Sequence, residues 1–282
     1  MSKTITFSEY RYHLLPLETD QTALELHGPK PSFEELKKIK NIVFDDIIKS
    51  LEDSKKEQNL FKLLDSSDTI YLFKVSNKKY DKIVENFTEK EIPTEPYIYL
   101  IINNDPSVQK IYISEDFEVF SSVNATKNIL MTIFKKYLHT KYLNIETQEV
   151  FDKKSFWTLV KKHQGKITYV NIEIIKPNLS NISKTLPEVF RKFAETTNAH
   201  RSNILLKAPE NGKLEKINES NKDLEGLVEY SSQGGGEIKL KVKGISKQIK
   251  TSDNIKKIDI QQVYLEGSHE QVLKMYKEII NH

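Results

Sequence analysis

Lys239, Lys241 and Lys243 recur at every second position, with Leu240 and Val242 between them and Ile238 ahead. In an extended strand, alternate side chains point to opposite faces, so the three ammonium groups share one face and the three aliphatic groups the other. Cations at twice the strand rise, about 6.5–7 Å apart, suit a run of phosphates, and the chemistry would be salt-dependent contact with a polyanion. Lys247 and Lys250 follow on the next extended stretch. Just ahead stand Gly234, Gly235 and Gly236, three of the nine glycines in the chain. Bare backbone there answers a need for positive φ or for close approach, and its amides could reach a phosphate. The competing reading of the same pattern is an outer strand whose lysines keep an edge in solution.

A second basic group surrounds the turn Asn198–Asn203, where Arg201 lies, with Arg191 on the preceding helix. With Arg11 these are the only arginines, and guanidinium is the better fork for phosphate. Cations near a helix C-terminus also suit its dipole without any ligand. Glu237-Ile238-Lys239 matches the acid-any-Lys strand element of metal-dependent nucleases, with Asp223 upstream. Such chemistry needs two carboxylates on a divalent ion and a lysine to orient water. Glycines replace the apolar strand that should precede the element, so no catalytic residue is assigned. The seven histidines lie apart, without ligand spacing, and no nucleophile elbow, phosphate loop or dinucleotide fingerprint occurs. No metal and no cofactor is expected.

The elements that must position these residues follow from periodicity. Residues 3–17 alternate as a strand, with an irregularity at Ser8-Glu9 where the apolar phase changes. Ser32 and Glu35 form a capping box for a helix carrying Leu36, Ile39, Val43, Ile47 and Leu51, and a second helical piece is expected over 54–64. Residues 69–75 and 80–87 are expected to pair across a turn, with a loop at 92–96. A hairpin is expected across Asn103-Asn104-Asp105-Pro106, and a helix from Ser122 to His139. In the second half, strands near 142–151, 167–175, 204–207, 214–217, 237–243, 245–250 and 255–265 alternate with helices. One of these helices buries Leu186, Val189, Phe190, Phe193 and Ala194. The fold class is α+β: mixed, mostly antiparallel sheets with helices packed on one face, in two associated halves, 1–140 and 141–282. The first half is a candidate protein-contact unit, and the second carries the basic strand and the glycine turn.

With 38% hydrophobic and 29% charged residues in 282, the chain has the profile of a globular protein rather than a disordered one. It has no apolar run long enough to span a bilayer, no apolar leader and no cysteine, which points to a cytoplasmic protein without disulfides. The net charge is +3, and the basic excess lies in residues 141–282, residues 1–140 being net acidic. That asymmetry suits a polyanionic partner for the second half, DNA first and RNA as the alternative.

Four segments carry a resemblance: Phe156-Trp157-Thr158-Leu159-Val160-Lys161, Pro177-Asn178-Leu179-Ser180-Asn181, Tyr230 through Glu237, and Lys250-Thr251-Ser252. On them, residues 151–250 resemble an uncharacterised bacterial protein family associated with phage defence. In the order and length of its elements the chain is also similar to the lambda exclusion protein RexA. The resemblance implies a dimeric, DNA-binding sensor or accessory component that acts with a separately encoded effector, and it brings no catalytic residues.

Overall fold

The computed structural model describes residues 3–17, 31–53, 61–176, 184–197 and 199–281, with seven helices and thirteen strands among them. The fold is α+β, and every strand pair is antiparallel.

The long first strand, β1 (Thr4–Pro16), sits inside a seven-stranded sheet. On one side it pairs with β7 (Lys110–Ser114), and beyond that follow β6 (Tyr97–Asn103), β3 (Ile70–Ser76) and β2 (Phe61–Ser67). On the other side it carries two partners in succession. Its first part pairs with β13 (Lys257–Gln261) and its second with β8 (Leu143–Glu149). Toward β7 the pairing runs through Ser8-Glu9 in unbroken register, and the irregularity expected there is a change of partner on the other edge, where β13 ends at Ser8 and β8 begins at Tyr10. The apolar phase changes for another reason. Phe7 packs in the core beneath the last helix, whereas Tyr10, Tyr12 and Leu14 pack in the core on the opposite face. The strand is buried on both sides, and its apolar residues change layer along its length.

Two helices cover the Tyr10–Leu14 face: α1 (Phe33–Ser50), started by the Ser32–Glu35 capping box, and α2 (Val123–His139), capped by Ser122. The final helix, α7 (His269–Asn281), buries Val272, Met275, Tyr276 and Ile279 against the other face, after the short α6 (Gln262–Leu265). Helices therefore flank this sheet on both faces rather than one. The boundary at 140 also does not follow the sheets, because β8, β13 and α7 all lie beyond it. A central strand with open hydrogen bonds on one edge must recruit partners wherever the chain supplies them.

A second sheet, β10-β9-β11-β12, comprises β9 (Ile167–Ile175), β10 (Arg201–Lys207), β11 (Ile238–Val242) and β12 (Ile249–Lys250). Helices α3 (Lys153–Lys162), α4 (Glu188–Thr196) and α5 (Lys222–Tyr230) accompany it. Its core joins Trp157, Val170, Ile172, Leu227, Ile238 and Leu240. Residues 214–217 form no strand, and 245–248 precede the two-residue β12. On α4, Leu186 just ahead is buried and Phe190 packs inward, but Val189 and Phe193 are 76% and 60% exposed, so the expected stripe is only half covered.

The chain corrects two further expectations in the first half. Phe61–Ser67 is strand rather than helix, residues 54–60 lying outside the described residues. Residues 80–87 do not pair with β3. They form β4 (Lys79–Glu85), which pairs with β5 (Thr88–Thr94) in a separate hairpin that takes in Ile92. β3 pairs with β2 and β6 instead, because those runs extend its apolar faces.

Candidate nucleic-acid interface

β11 lies between β9 and β12, with Ile238, Leu240 and Val242 buried beneath it. Lys239 and Lys241 therefore stand on the opposite, open face, as period-two alternation requires. Directly opposed residues of antiparallel strands share a face, so Tyr169 (across from Lys241), Asn171 and Lys250 (each across from Lys239) join them. β10 adds Leu205 and Lys207, across from Asn171 and Tyr169. Lys241 holds its ammonium 5.6 Å from the Tyr169 ring centroid. Lys243 and Lys247 are exposed at the rim, on either side of the open turn at Gly244.

The row is not uniformly free. Lys239 is bound to Glu237 at 2.9 Å, and that hydrogen bond raises its pKa. Glu237 also accepts the Ser252 hydroxyl, so the carboxylate of the nuclease-like element is occupied by its own neighbours. Among the described residues no three His, Asp or Glu side chains come together as a metal site.

The glycines lie elsewhere than expected. Gly234, Gly235 and Gly236 are buried, not on the lysine face. Gly234 and Gly235 belong to a π-helical turn, Ser231–Gly235, that runs on from α5 and packs against β1, β8 and β9, and Gly236 ends it as its C-cap. Gly234 has φ +83°, and a Cβ there would come 2.5 Å from the Cβ of Arg11. On Gly235 a Cβ would enter the Tyr230 ring, and on Gly236, at φ +145°, it would enter the Glu173 carbonyl. The bare backbone answers a need for close approach, but the approaching group is the chain itself. His13 Nε2–H donates to the Gly234 carbonyl at 3.0 Å, and Tyr230 donates to the Ile175 carbonyl. This turn is the joint between the two sheets.

Of the two expected arginines, Arg201 shares the face of Leu205 and Lys207 on β10 but is engaged by carboxylates, and Arg191 lies away from that face. Arg201 is held between Glu146 on β8 and Glu173 on β9, at 2.6 and 2.5 Å. The hydrogen bond from His200 and, against the cost of burial, that from Arg201 hold the Glu146 carboxyl down at about 2. Arg201 is thus a second tie between the sheets. Arg191 belongs to α4, whose Phe190 packs in the core under the sheet, on the side away from Lys239 and Lys241.

Sequence reasoning missed Glu9, Arg11 and His13. They occupy the alternate positions of β1 between Ser8, Tyr10 and Tyr12, and all three are buried. Their polar character suggested solvent, but the second sheet and its glycine turn cover that part of the face. The readable signal was a strand whose polar alternates were all ionisable.

Compared with family models, with curated proteins and with solved structures, the chain matches none.

Proposed function

We propose that the chain binds nucleic acid through the open face of its second sheet, largely independently of sequence. The observation that carries the reading is the exposed Lys241 beside the half-buried Lys239 on the open face, above buried Ile238, Leu240 and Val242 and flanked by Lys207 and Lys250. Lys243 and Lys247 extend the cationic surface beyond the strand ends. Phosphate contacts of this kind give affinity without base readout. Tyr169 in the middle of the face supports a single strand over a duplex, since an aromatic ring on an open sheet can take an unpaired base. DNA and RNA both meet these demands. The resemblance to phage-defence proteins supports a place for this activity in a sensor or accessory component of such a system.

The test is a salt titration of binding to a fluorescent oligonucleotide. A Lys239/Lys241/Lys243 triple alanine variant should flatten the log–log salt slope by about 1.4–1.8, the equivalent of two phosphate contacts rather than three, because Lys239 is already engaged by Glu237. An unchanged slope removes this strand from the site. Tyr169→Ala should weaken single-strand binding by about 1–3 kcal/mol and leave duplex binding nearly unaltered.

A second reading, a protein-contact role, is favoured by the β4–β5 hairpin. It exposes Tyr80, Val84 and Phe87, the last at 103%. An effector protein or a second copy of the chain would find several large exposed apolar side chains together there. This role predicts binding to a protein partner that survives the triple lysine variant.

A further inference from the structure

We infer that the joint between the two sheets holds a second, separate site, a pocket for a small phosphate-type oxyanion centred on Arg11. The guanidinium of Arg11 is the reason. The residue is only 4% exposed, and its Nε and Nη1 are buried with no hydrogen-bond partner. Among the described residues no carboxylate lies within ion-pair distance of it. Glu9, on the same face of β1, acts on this cation only at a distance, and a buried guanidinium with unpartnered N–H groups is unfavourable enough to call for an anion in direct contact.

The surroundings are built to supply one. Arg11 lines a cavity of about 300 Å³ together with Lys110, Lys153, Lys256, Ser232 and Gln233. That is the lower end of the size range of small-molecule sites, about 300–1,000 Å³. The nearby carboxylates are already taken. Glu9 is shared by Lys110 at 2.5 Å and Lys256 at 3.3 Å. Lys153 is held by Glu225 and Glu229, and Gln233 also donates to Glu229. Asp152, the one carboxylate in the cavity wall, is spent on capping α3, accepting from the Lys154 and Ser155 amides. The same helix turns its N-terminus, and so the positive end of its dipole, toward the cavity wall at Asp152 and Lys153. Guanidinium presents two parallel N–H donors to an oxyanion, a geometry that one ammonium group cannot reproduce. The volume exceeds what a bare oxyanion needs, so the site suits a phosphate monoester as well as free phosphate. Of the glycine turn, Ser232 and Gln233 line this cavity, while the glycines let the turn close over Arg11.

The site does not depend on the lysine face of the second sheet, and the test separates the two. Thermal unfolding and calorimetry of the full chain are run with inorganic phosphate and with ribose 5-phosphate, sodium chloride holding ionic strength constant. The wild type should show a saturable rise in Tm. An equal response to both probes identifies free phosphate as sufficient, and a stronger response to the ester identifies the ester. Arg11→Met should weaken binding at least tenfold and raise the Tm of the ligand-free protein, because the buried, unpartnered N–H groups are gone. Lys241→Ala should keep the phosphate response. Should Arg11→Met fail to fold, Lys256→Gln and Ser232→Ala carry the test, each expected to weaken binding several-fold. No saturable rise in the wild-type Tm at this constant ionic strength overturns the proposal, as does a phosphate response that survives in Arg11→Met, or in both substitute variants.

Discussion

At Gly234 and Gly236 the absence of a side chain does two jobs that can be separated experimentally. Both have positive φ, and at both a Cβ would strike a fixed neighbour, Arg11 or the Glu173 carbonyl. Gly244 also has positive φ, at +86°, but a Cβ there meets nothing within 4 Å. Gly244→Ala should therefore cost only the left-handed conformation, about 1–2 kcal/mol. Gly234→Ala and Gly236→Ala should cost that and the clash as well, about 3 kcal/mol or more. Urea denaturation of the three variants checks the ranking, and equal costs would show that packing at the joint is unimportant. His13 offers a pH test of the same joint. Burial, with Arg11, Lys40 and His200 nearby, pushes its pKa down to about 4, against the hydrogen bond it donates to Gly234. The folded protein thus keeps His13 neutral where the unfolded chain takes up a proton. Stability should be level above pH 7 and fall by about 2 kcal/mol between pH 7 and pH 5 from this group alone. Glu146, which faces His13 across β8, titrates near 2 and so stays charged through that window. Unfolding at pH 7.5 and pH 5.0 should show the drop in the wild type and a smaller one in His13→Gln. The glycine run was legible as a demand on the backbone. Its partners were not, since Arg11 and Glu173 are distant in sequence and only the fold brings them close.

Among the elements, alternation was the readable signal where one face of a strand is in solvent. Ile238, Leu240 and Val242 against Lys239 and Lys241 gave the faces of β11 correctly, because that strand has one wet side. In β1 the same pattern misled, since both sides are covered and the polar alternates Glu9, Arg11 and His13 lie inside. The β4–β5 hairpin shows a different limit. Sequence proximity favoured pairing of residues 80–87 with β3, yet β3 takes β6 as its neighbour, with Ser76 opposite Tyr97. The intervening hairpin is an insertion between two paired strand ends, and the Asn77 amide donates to the Pro96 carbonyl at its root. Most of its side chains are exposed, and a lone two-stranded ribbon adds little stability of its own. Replacing residues 78–95 by a two-residue Asn-Gly turn should leave the unfolding free energy within about 1 kcal/mol of the wild type. A larger loss would show that the hairpin supports the sheet, and loss of a protein partner without loss of stability would identify it as a contact surface.

For the whole molecule, the order in which the chain visits its sheets decides which parts can stand alone. The second core draws its buried residues from one continuous stretch, Phe151 to Val242, with Ile249 packed against it. Thr251, just beyond, accepts the Ile238 amide on its hydroxyl. The first sheet is different. Residues 1–140 contain β1, β2, β3, β6 and β7 but lack β8 and β13, the two strands that complete one edge of β1. They also lack α7, so Phe7, Leu72, Tyr99, Ile101 and Tyr112 would lose the helix that covers them. A strand edge and an apolar sheet face would both be opened at once, and burial of this kind supplies most of a domain's stability. The charge shift at 140 marks a change of surface composition, whereas domain limits follow the closure of hydrogen-bonded edges and cores. Expression of residues 151–254 alone should therefore give a fragment with dispersed amide resonances and cooperative melting, and it should keep the lysine face and its salt-dependent oligonucleotide binding. Residues 1–140 alone should aggregate or remain unfolded. A disordered 151–254 fragment would mean that the joint through Gly234, Arg11, Arg201 and Glu146 organises both sheets together, whereas a well-folded 1–140 fragment would show that the first core stands without β8, β13 and α7.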